Sequence, residues 1–295
     1  MSMLSRLTQR TADAVEAAQF LDRPAAALVG VVSALGPGRI KDVLSGVAVG
    51  HPLHPALVTV PVGCVVGTTY LDAVGGDPAS TRRLAGLAVL SSVPAVASGL
   101  SDWSETDGAE RRVGLVHLTV NATGLALVGA SWVARSGSRR STTAVVLSGA
   151  GLALLGAGGW LGGHLAYALG VGVDTTAFLR PPVEWTDAVA ETDLLEGRPV
   201  CATVDRTPVL LVRQDGRILA IGDRCTHRGG PLHEGPVVDG CVECPWHGSR
   251  FALSDGSVTR GPATVAAATF ETRVRDGRVE VRRQEQRALR RNVVG

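Results

Sequence analysis

Long uncharged stretches separated by short polar ones dominate the first part of the chain. No charged residue occurs in four ranges, 55–71, 84–101, 113–134 and 144–173. An apolar helix of about 20 residues crosses the hydrocarbon core of a bilayer, and about 17 to 25 are tolerated. Buried helices of a soluble protein are the alternative, but such helices seldom lack charge on every face. The pattern therefore predicts four membrane-spanning helices in a bundle over 51–175.

The segment before the bundle has a different character. Residues 1–50 begin with an amphipathic, charged stretch that lacks the pattern of a secretory signal. The apolar range 25–36 is too short to span a bilayer, so we expect it at the membrane interface or packed on the bundle.

The pattern changes again after residue 173. A proline-broken linker at 176–184 leads into residues that alternate between apolar and polar, with Asp-Gly pairs at 215–216 and 276–277. Such pairs between strand-like runs indicate β-hairpins. We therefore predict an antiparallel β-domain over 185–282 and a basic tail over 283–295, which is either solvated or in contact with anionic lipid. The predicted fold class is multi-domain, an α-helical four-span bundle followed by an all-β domain.

Composition narrows the functional classes. Hydrophobic residues make up 45% and charged residues 19% of the 295, which excludes a disordered chain. The net charge of +2 is too small to indicate a nucleic-acid partner. The 37 glycines and the 4% aromatic content are typical of closely packed membrane helices.

Paired cysteines and histidines carry the chemical signal. Cys225-Thr-His227 is followed by Cys244-Pro-Trp-His247, so that each predicted loop supplies one thiol and one imidazole. A zinc site with two cysteines and two histidines is the alternative. Zinc fingers, however, pair cysteine with cysteine and histidine with histidine.

These motifs, CTHRGGPL and CPWHGSRF, resemble those of the Rieske family, and GPA at 261–263 extends the resemblance. The resemblance implies one [2Fe-2S] cluster per chain, with Cys225 and Cys244 on one iron and His227 and His247 on the other. It also implies that Gly230 and Ser249 lie next to the cluster, with Ser249 donating a hydrogen bond to a bridging sulfide.

Departures from the quinol-oxidising type of Rieske protein indicate a ferredoxin-like type. Gly230 and Trp246 stand where that type has two disulfide-linked cysteines, and Phe251 stands in place of a tyrosine. We therefore expect a reduction potential in the lower part of the range of about −150 to +300 mV. Only 48 residues follow His247, too few for the iron domain of an oxygenase, so we expect an electron carrier rather than a complete enzyme.

The sequence HPLHPALVTVPVG at 51–63, with Asp72 and Asp102-Trp103, resembles an uncharacterised bacterial family of four-span membrane proteins, DUF2231. Four histidines should lie in the half of the bundle nearest the β-domain: His51, His54, His117 and His164. Three interpretations stay open. They hold haem b or another metal, they make structural or interfacial hydrogen bonds, or they line a proton or ion path.

Other cysteines, histidines and tyrosines are assigned no chemistry. We expect Cys64 and Tyr70 to be packing residues, Cys201 and Cys241 to be buried strand residues, and His233 to lie at the surface.

The sequence as a whole predicts a membrane-anchored electron-transfer protein. It would pass single electrons between a soluble donor or acceptor and a membrane redox partner, either a protein or the quinone pool. A redox-gated transporter or channel, or a plain anchor for a ferredoxin-like module, are the alternatives. We expect a multi-pass protein of the cell membrane with a cytoplasmic β-domain, because no export signal or loop disulfide is present.

Overall fold

The computed structural model describes residues 3–34, 36, 38–136 and 141–284. The chain divides into two compact units, a helical unit of Met1–Gly36 and Pro52–Val173 and a β unit of Pro37–His51 and Asp174–Gly295. The predicted N-terminal segment 1–50 is therefore shared between the two units. The basic tail predicted over 283–295 lies outside the described residues from position 285 onward.

The helical unit consists of two N-terminal helices, one short helix and four long ones. Their bounds are α1 Met3–Glu16, α2 Asp22–Ser33, α4 His54–Leu57, α5 Thr59–Val74, α6 Pro78–Trp103, α7 Gly108–Ala134 and α8 Thr142–Tyr167. The remaining helix, α3 Arg39–Ser45, belongs to the β unit.

Among the residues that the structure describes, four helical stretches are long and apolar enough to cross a membrane, which confirms the predicted four-helix arrangement. They are His54–Val74, Pro78–Trp103, Gly108–Ala134 and Thr142–Tyr167. The second starts earlier than predicted because Asp77 caps α6, its carboxylate accepting the amide proton of Ser80 at 2.8 Å. Ser141 caps α8 in the same way through the amide of Ala144.

Small residues allow the long helices to approach closely. A Cβ added to Gly151 of α8 would lie 2.8 Å from the carbonyl oxygen of Gly124 in α7. A Cβ on Gly86 of α6 would lie 2.9 Å from the Trp132 ring. Glycine at these contacts brings backbones together, as expected for helices that gain no hydrophobic driving force from one another in lipid.

A buried ion pair ties three of the long helices together. Asp72 near the end of α5 and Arg135 just after α7 are 5% and 6% exposed, and their contacts of 2.9 and 2.6 Å form a two-pronged salt bridge. Ser148 of α8 donates to the Asp72 carboxylate at 3.0 Å. Arg135 Nε donates to the hydroxyl oxygen of Ser131 at 3.2 Å. Each charged group therefore has hydrogen-bonding partners, as a buried pair requires.

The N-terminal helices pack within the helical unit. Arg112 of α7 binds the carboxylate of Asp22 at 2.6 Å, and the Glu16 carboxylate lies 2.9 Å from His164 Nε2. The prediction that 25–36 packs on the bundle agrees with the contacts that α2 makes with α6 and α7.

The described part of the β unit contains ten strands in two antiparallel sheets. Their bounds are β1 Thr186–Ala190, β2 Val200–Val204, β3 Thr207–Gln214, β4 Arg217–Gly222, β5 Val237–Val238, β6 Cys241–Glu243, β7 Arg250–Ala252, β8 Val258–Arg260, β9 Thr269–Arg275 and β10 Arg278–Arg283. The six-stranded sheet has the order β1-β10-β9-β4-β3-β2, and the four-stranded sheet has the order β5-β6-β7-β8.

Strand β3 lies between two hydrophobic cores. Val209 and Leu211 pack into one core, and Leu210 and Val212 into the other. All four side chains are fully buried, because successive strand residues point to opposite faces and both faces are covered. The second core also contains Cys225 and Cys244, so the loops that carry these cysteines rest on a rigid base.

Two-residue turns connect several strands. Asp215-Gly216 joins β3 to β4 and Asp276-Gly277 joins β9 to β10, each with two positive φ angles, so both predicted hairpins are confirmed. Asp205-Arg206 forms an equivalent turn without glycine. That turn lacks the Asp-Gly signal and was not predicted.

Candidate functional site

Two six-residue loops of the β unit have the same backbone design. In the first, the amide of Cys225 bonds the carbonyl of Gly230 at 2.9 Å, and the amide of Gly229 bonds the carbonyl of Cys225 at 2.8 Å. In the second, Cys244 bonds Ser249 at 2.7 Å and Gly248 bonds Cys244 at 3.0 Å. Each loop is thus closed by two hydrogen bonds to the backbone amide and carbonyl of its own cysteine.

The fifth residue of each loop must be glycine for a conformational reason. Gly229 has φ of +79° and Gly248 has φ of +71°, a left-handed conformation that is strained for residues with a Cβ. Gly229 and Gly248 therefore serve the turn geometry. They allow the chain to reverse and return its carbonyl to the cysteine amide.

The two loops bring their cysteines together in the interior. Cys225 is 1% and Cys244 is 2% exposed, and the two thiols are hydrogen-bonded to each other. The hydrogen bond from Cys225 lowers the pKa of Cys244 to about 6, against the effect of burial. The same bond, together with burial, raises the pKa of Cys225. The hydrogen bond therefore favours the thiolate form of Cys244 over that of Cys225.

The two histidines lie beside the cysteines but nearer the surface. The rings of His227 and His247 are half-buried, with centroids 5.1 Å apart and planes at 89°. Burial lowers the pKa of His227 to about 3, with further effects from His247, Arg228 and Lys41. The imidazole is therefore neutral at physiological pH, which is the form that binds a metal ion.

The donor set fits a Rieske cluster. His227 Nδ1 is buried and has no hydrogen-bond partner within the described chain, which is costly for a polar atom unless it coordinates a metal. Two buried sulfurs and two imidazoles near the surface match the Cys₂ and His₂ ligation of the two irons. The four side chains could hold a [2Fe-2S] cluster.

Gly230 provides the close contact between the loops. A Cβ at this position would lie 2.9 Å from Cys244 Sγ and 3.0 Å from the Trp246 ring. Cβ atoms do not approach other heavy atoms so closely, so no larger residue fits without moving one of the loops.

We expect Gly230→Ala to separate the loops and weaken the site. Overpacking of this kind costs about 1 to 3 kcal/mol, and we expect a lower iron content and a lower melting temperature for the purified variant. Gly222→Ala is the matched control, because its Cβ would make only ordinary contacts, the nearest at 3.7 Å. Equal iron content in the two variants would contradict the expectation.

Ser249 and Phe251 define the polarity near the second cysteine. The Ser249 hydroxyl is fully buried and accepts the amide proton of Ala263 at 2.9 Å. Phe251 is fully buried in the core that contains both cysteines and offers no hydroxyl group. Because the Ser249 hydroxyl accepts in this bond, its own proton can still be donated to another acceptor.

Sequence reasoning did not find the ion-pair cluster that holds the second loop. Arg260 donates two hydrogen bonds to the carbonyl of Gly248, at 2.9 and 2.7 Å, and lies 2.7 Å from the Glu243 carboxylate. Arg250 binds the same carboxylate at 2.7 Å. Burial acts to raise the pKa of Glu243, but the two arginines outweigh it and lower that pKa. The sequence indicated this cluster only through the opposite charges of Glu243 and of Arg250 and Arg260.

Residues outside the predicted β-domain also support the site. Thr175 binds the first loop through the carbonyls of Thr226 and Cys225, at 3.1 and 2.8 Å. Asp42 of α3 accepts the amide proton of Gly261 at 2.8 Å. These contacts explain why 37–51 and 174–184 belong to the β unit, although the sequence placed them in other segments.

The structure does not support the interpretation in which the membrane histidines hold haem or another metal. His54 Nδ1 donates to the carbonyl of Ala95 and His117 Nδ1 to that of Gly158, both at 2.8 Å, while His164 bonds Glu16. His51 lies in the β unit. Among the described residues of the helical unit, no three potential ligand side chains gather within ligation distance. Haem is therefore not supported, and these contacts match the structural hydrogen-bonding interpretation.

The remaining single-residue predictions had mixed outcomes. Cys64 is buried in the bundle core, as expected. Tyr70 is 64% exposed and Cys201 is exposed, so both expectations of packing were wrong, and Cys241 is only half-buried. His233 is half-buried, and its ring bonds the carboxylate of Asp223 at 2.8 Å. The spacing of His233 and Asp223 in the sequence gave no indication of this hydrogen bond.

Two family models match the chain in N-to-C order. Residues 50–175 match a predicted membrane protein family, DUF2231, and residues 184–271 match the Rieske [2Fe-2S] domain. The two matches agree with the helical and β-sheet parts of the chain. The Rieske domain implies a [2Fe-2S] cluster.

Curated relatives resemble the β unit. The chain is 33% identical over 98 residues to the anthranilate 1,2-dioxygenase ferredoxin subunit of Burkholderia cepacia, covering 33% of this chain and 91% of the relative. It is 31% identical over 99 residues to the ferredoxin component of the naphthalene 1,2-dioxygenase system of Pseudomonas putida, covering 34% and 95%.

Among solved structures, the ferredoxin of carbazole 1,9a-dioxygenase from Nocardioides aromaticivorans IC177 is 24% identical, with a TM-score of 0.33. The match covers 34% of this chain and 98% of that one. Taken with the loop geometry, the family models and the curated relatives identify the C-terminal part as homologous to the electron-transfer ferredoxin components of dioxygenases. The chain belongs to the Rieske [2Fe-2S] family, and its Rieske domain follows a DUF2231 membrane domain.

Proposed function

We propose that this chain is a membrane-anchored, ferredoxin-type carrier of single electrons in which Cys225, His227, Cys244 and His247 bind the cluster. The observation that carries the proposal is the pair of equivalent closed loops, which put two buried sulfurs and two half-buried imidazoles in one place. The cluster supplies reversible one-electron oxidation and reduction when bound.

The residues of the chain do three things in this proposal. Cys225 and Cys244 lie in the core, where hydrophobic neighbours exclude water from the sulfur side. His227 and His247 lie nearer the surface, so electrons enter and leave through the imidazole edge. The closed loops and the Glu243 ion pairs hold the ligands in place, which keeps rearrangement small when the charge changes.

The helical part serves as the membrane anchor in this proposal. Four apolar helices and the match to a predicted membrane family support it. We assign the anchor to 51–175, the linker to 176–184 and the Rieske domain to 185–282. The five cysteines are unpaired, which is typical of a reducing compartment, so we assign the Rieske domain to the cytoplasmic side of the cell membrane.

Limited proteolysis of membrane vesicles tests this orientation. We expect an added protease to cut the linker of the protein in inverted vesicles but not in right-side-out vesicles.

We propose a protein rather than a quinone as the redox partner. The similar relatives are named as ferredoxin components of dioxygenase systems, which supports an oxygenase or another redox enzyme near the membrane. Gly230 and Trp246 are at the loop positions where a quinol-oxidising type would carry linking cysteines. Trp246 is 57% exposed, so an apolar surface lies beside His247 for a protein partner to cover.

Purified full-length protein in detergent tests the proposed function. We expect about two iron atoms per chain and a Rieske EPR signal that appears on reduction and disappears on reoxidation, with one electron per chain. The reduced protein should also pass that electron to a soluble one-electron acceptor. A colourless protein that contains a single zinc ion and no iron would contradict the proposal.

The Ser249 hydroxyl should raise the reduction potential of the cluster. A hydrogen bond from this buried group stabilises the added electron, so Ser249→Ala should make the midpoint potential about 60 mV more negative, equal to about tenfold in a one-electron equilibrium. An EPR-monitored redox titration measures the shift. Ser254→Ala, at an exposed serine, is the control, and identical potentials in the two variants would contradict the prediction.

A further inference from the structure

A second group of metal-binding side chains lies in the β unit apart from the four proposed cluster ligands. Cys201 of β2, Asp223 just after β4, and His233 of the 3₁₀ turn Leu232–Glu234 come together, with their ligand atoms within 4.8 Å of one another. Within the described residues, no other group of three such side chains comes together in this way.

The Asp223 carboxylate is the centre of this group, and its partner among the described residues is a histidine and not a lysine or arginine. Asp223 is 4% exposed. Its oxygens accept hydrogen bonds from the backbone amide and from Nδ1 of His233, both at 2.8 Å. No lysine or arginine pairs with it among the residues that the structure describes. A buried carboxylate without such a partner is expensive, and a bound cation would compensate its charge.

We propose that Cys201, Asp223 and His233 bind one divalent zinc ion. Thiolate, imidazole and carboxylate are the ligand types that zinc prefers, and three protein ligands with water in the fourth position make a complete tetrahedral site. Cys201 is exposed, so the ion reaches the site from solvent, and the thiol proton leaves to solvent when the ion binds.

The His233–Asp223 pair requires only a small adjustment. At zinc–ligand distances of about 2.0 Å, two tetrahedral N and O ligands are about 3.3 Å apart. His233 Nδ1 and the Asp223 oxygen are 2.8 Å apart, so the ion replaces their hydrogen bond and the ring moves by about 0.5 Å. Because Nδ1 must give up its proton to bind zinc, the ring takes the neutral tautomer that carries the proton on Nε2. The second Asp223 oxygen stays bonded to the amide of His233, which keeps the carboxylate oriented.

The ion would hold the base of the first cluster loop. The amide of Leu232 bonds the carbonyl of Asp223 at 2.8 Å, so Asp223 and His233 lie at the two ends of the segment that contains Cys225 and His227. Zinc bound to Cys201 would join both ends to β2. The site is therefore structural support for the loop and not part of the electron path.

Zinc binding to the iron-loaded, full-length protein tests the proposal. The holoprotein is dialysed against Zn²⁺ after removal of loosely bound metal, and zinc and iron are then measured together. We expect about one zinc for every two iron atoms, with the Rieske EPR signal unchanged. X-ray absorption at the zinc edge should show a single sulfur ligand at about 2.3 Å.

Three variants make the test specific. Cys201→Ser and His233→Gln should each weaken zinc binding about tenfold or more, while their EPR signal reports that the domain is folded. Cys241→Ser is the matched control, because Cys241 is also a free cysteine of this domain and should bind zinc like the parent protein.

The outcomes that overturn the proposal are distinct. Zinc retained equally by Cys201→Ser and the parent, or no zinc retained by the parent, would contradict it. Zinc gained only with an equivalent loss of iron would show displacement at the cluster ligands and would also contradict it. None of these results tests electron transfer, so a negative result for zinc binding does not contradict the proposed function.

Discussion

His227→Ala should abolish the Rieske EPR signal of the reduced protein and leave little iron bound. The buried Nδ1 of His227 has no hydrogen-bond partner among the described residues, and its pKa of about 3 keeps the ring neutral and ready to bind iron. Alanine supplies no nitrogen ligand, so one iron loses half of its protein ligands. Iron and sulfide content, together with EPR of the reduced sample, measures the effect.

A matched histidine variant separates ligation from general damage. His51 is an exposed histidine of the same unit, so His51→Ala should keep the full signal and iron content. We expect His247→Ala to behave like His227→Ala, because the two rings meet at 5.1 Å. A normal signal in either His227→Ala or His247→Ala would refute the assignment of the ligands, whatever the function of the chain.

Arg135→Ala should destabilise the helical unit by about 3 to 5 kcal/mol. The substitution removes both prongs of the salt bridge and leaves the Asp72 carboxylate buried, with Ser148 among its remaining partners. Removing one partner leaves a buried charge unpaired, and this lowers the stability more than removing both charges does. Denaturant or thermal unfolding of the full chain in detergent micelles measures the change.

Two further variants identify the cause of that loss. The double variant Asp72→Leu with Arg135→Met removes both charges, and we expect it to recover most of the stability. Arg82→Ala changes an exposed arginine near the start of α6 and should stay within about 0.5 kcal/mol of the parent. If the single and double variants are equally unstable, packing rather than charge accounts for the effect.

The predictions that succeeded rest on local features. A membrane helix must be apolar along its whole length, so a charge-free range of sequence is sufficient to find it. An Asp-Gly pair adopts the two positive φ angles of a tight hairpin without help from distant residues, as at 215–216. The motifs CTHRGGPL and CPWHGSRF, which indicated the Rieske family, are likewise contained in two short loops.

The predictions that failed concern partners far apart in the chain. Tyr70 and Cys201 were expected to be buried. The local sequence does not show whether another helix or strand covers the face of the element on which each of them lies. The membrane histidines were grouped by depth, yet depth does not determine which helices face one another. In the structure His54 bonds α6, His117 bonds α8 and His164 bonds α1.

The order of the two parts, the four apolar helices and the cysteine and histidine pairs were determined by the sequence alone, because each depends on residues close together in the chain. Only the tertiary structure decided that Asp72 pairs with Arg135, that Asp42 supports Gly261, and that Cys201, Asp223 and His233 converge. Such contacts depend on how strands and helices pack. Many chain segments could satisfy the same charge or hydrogen bond, and the fold selects one of them.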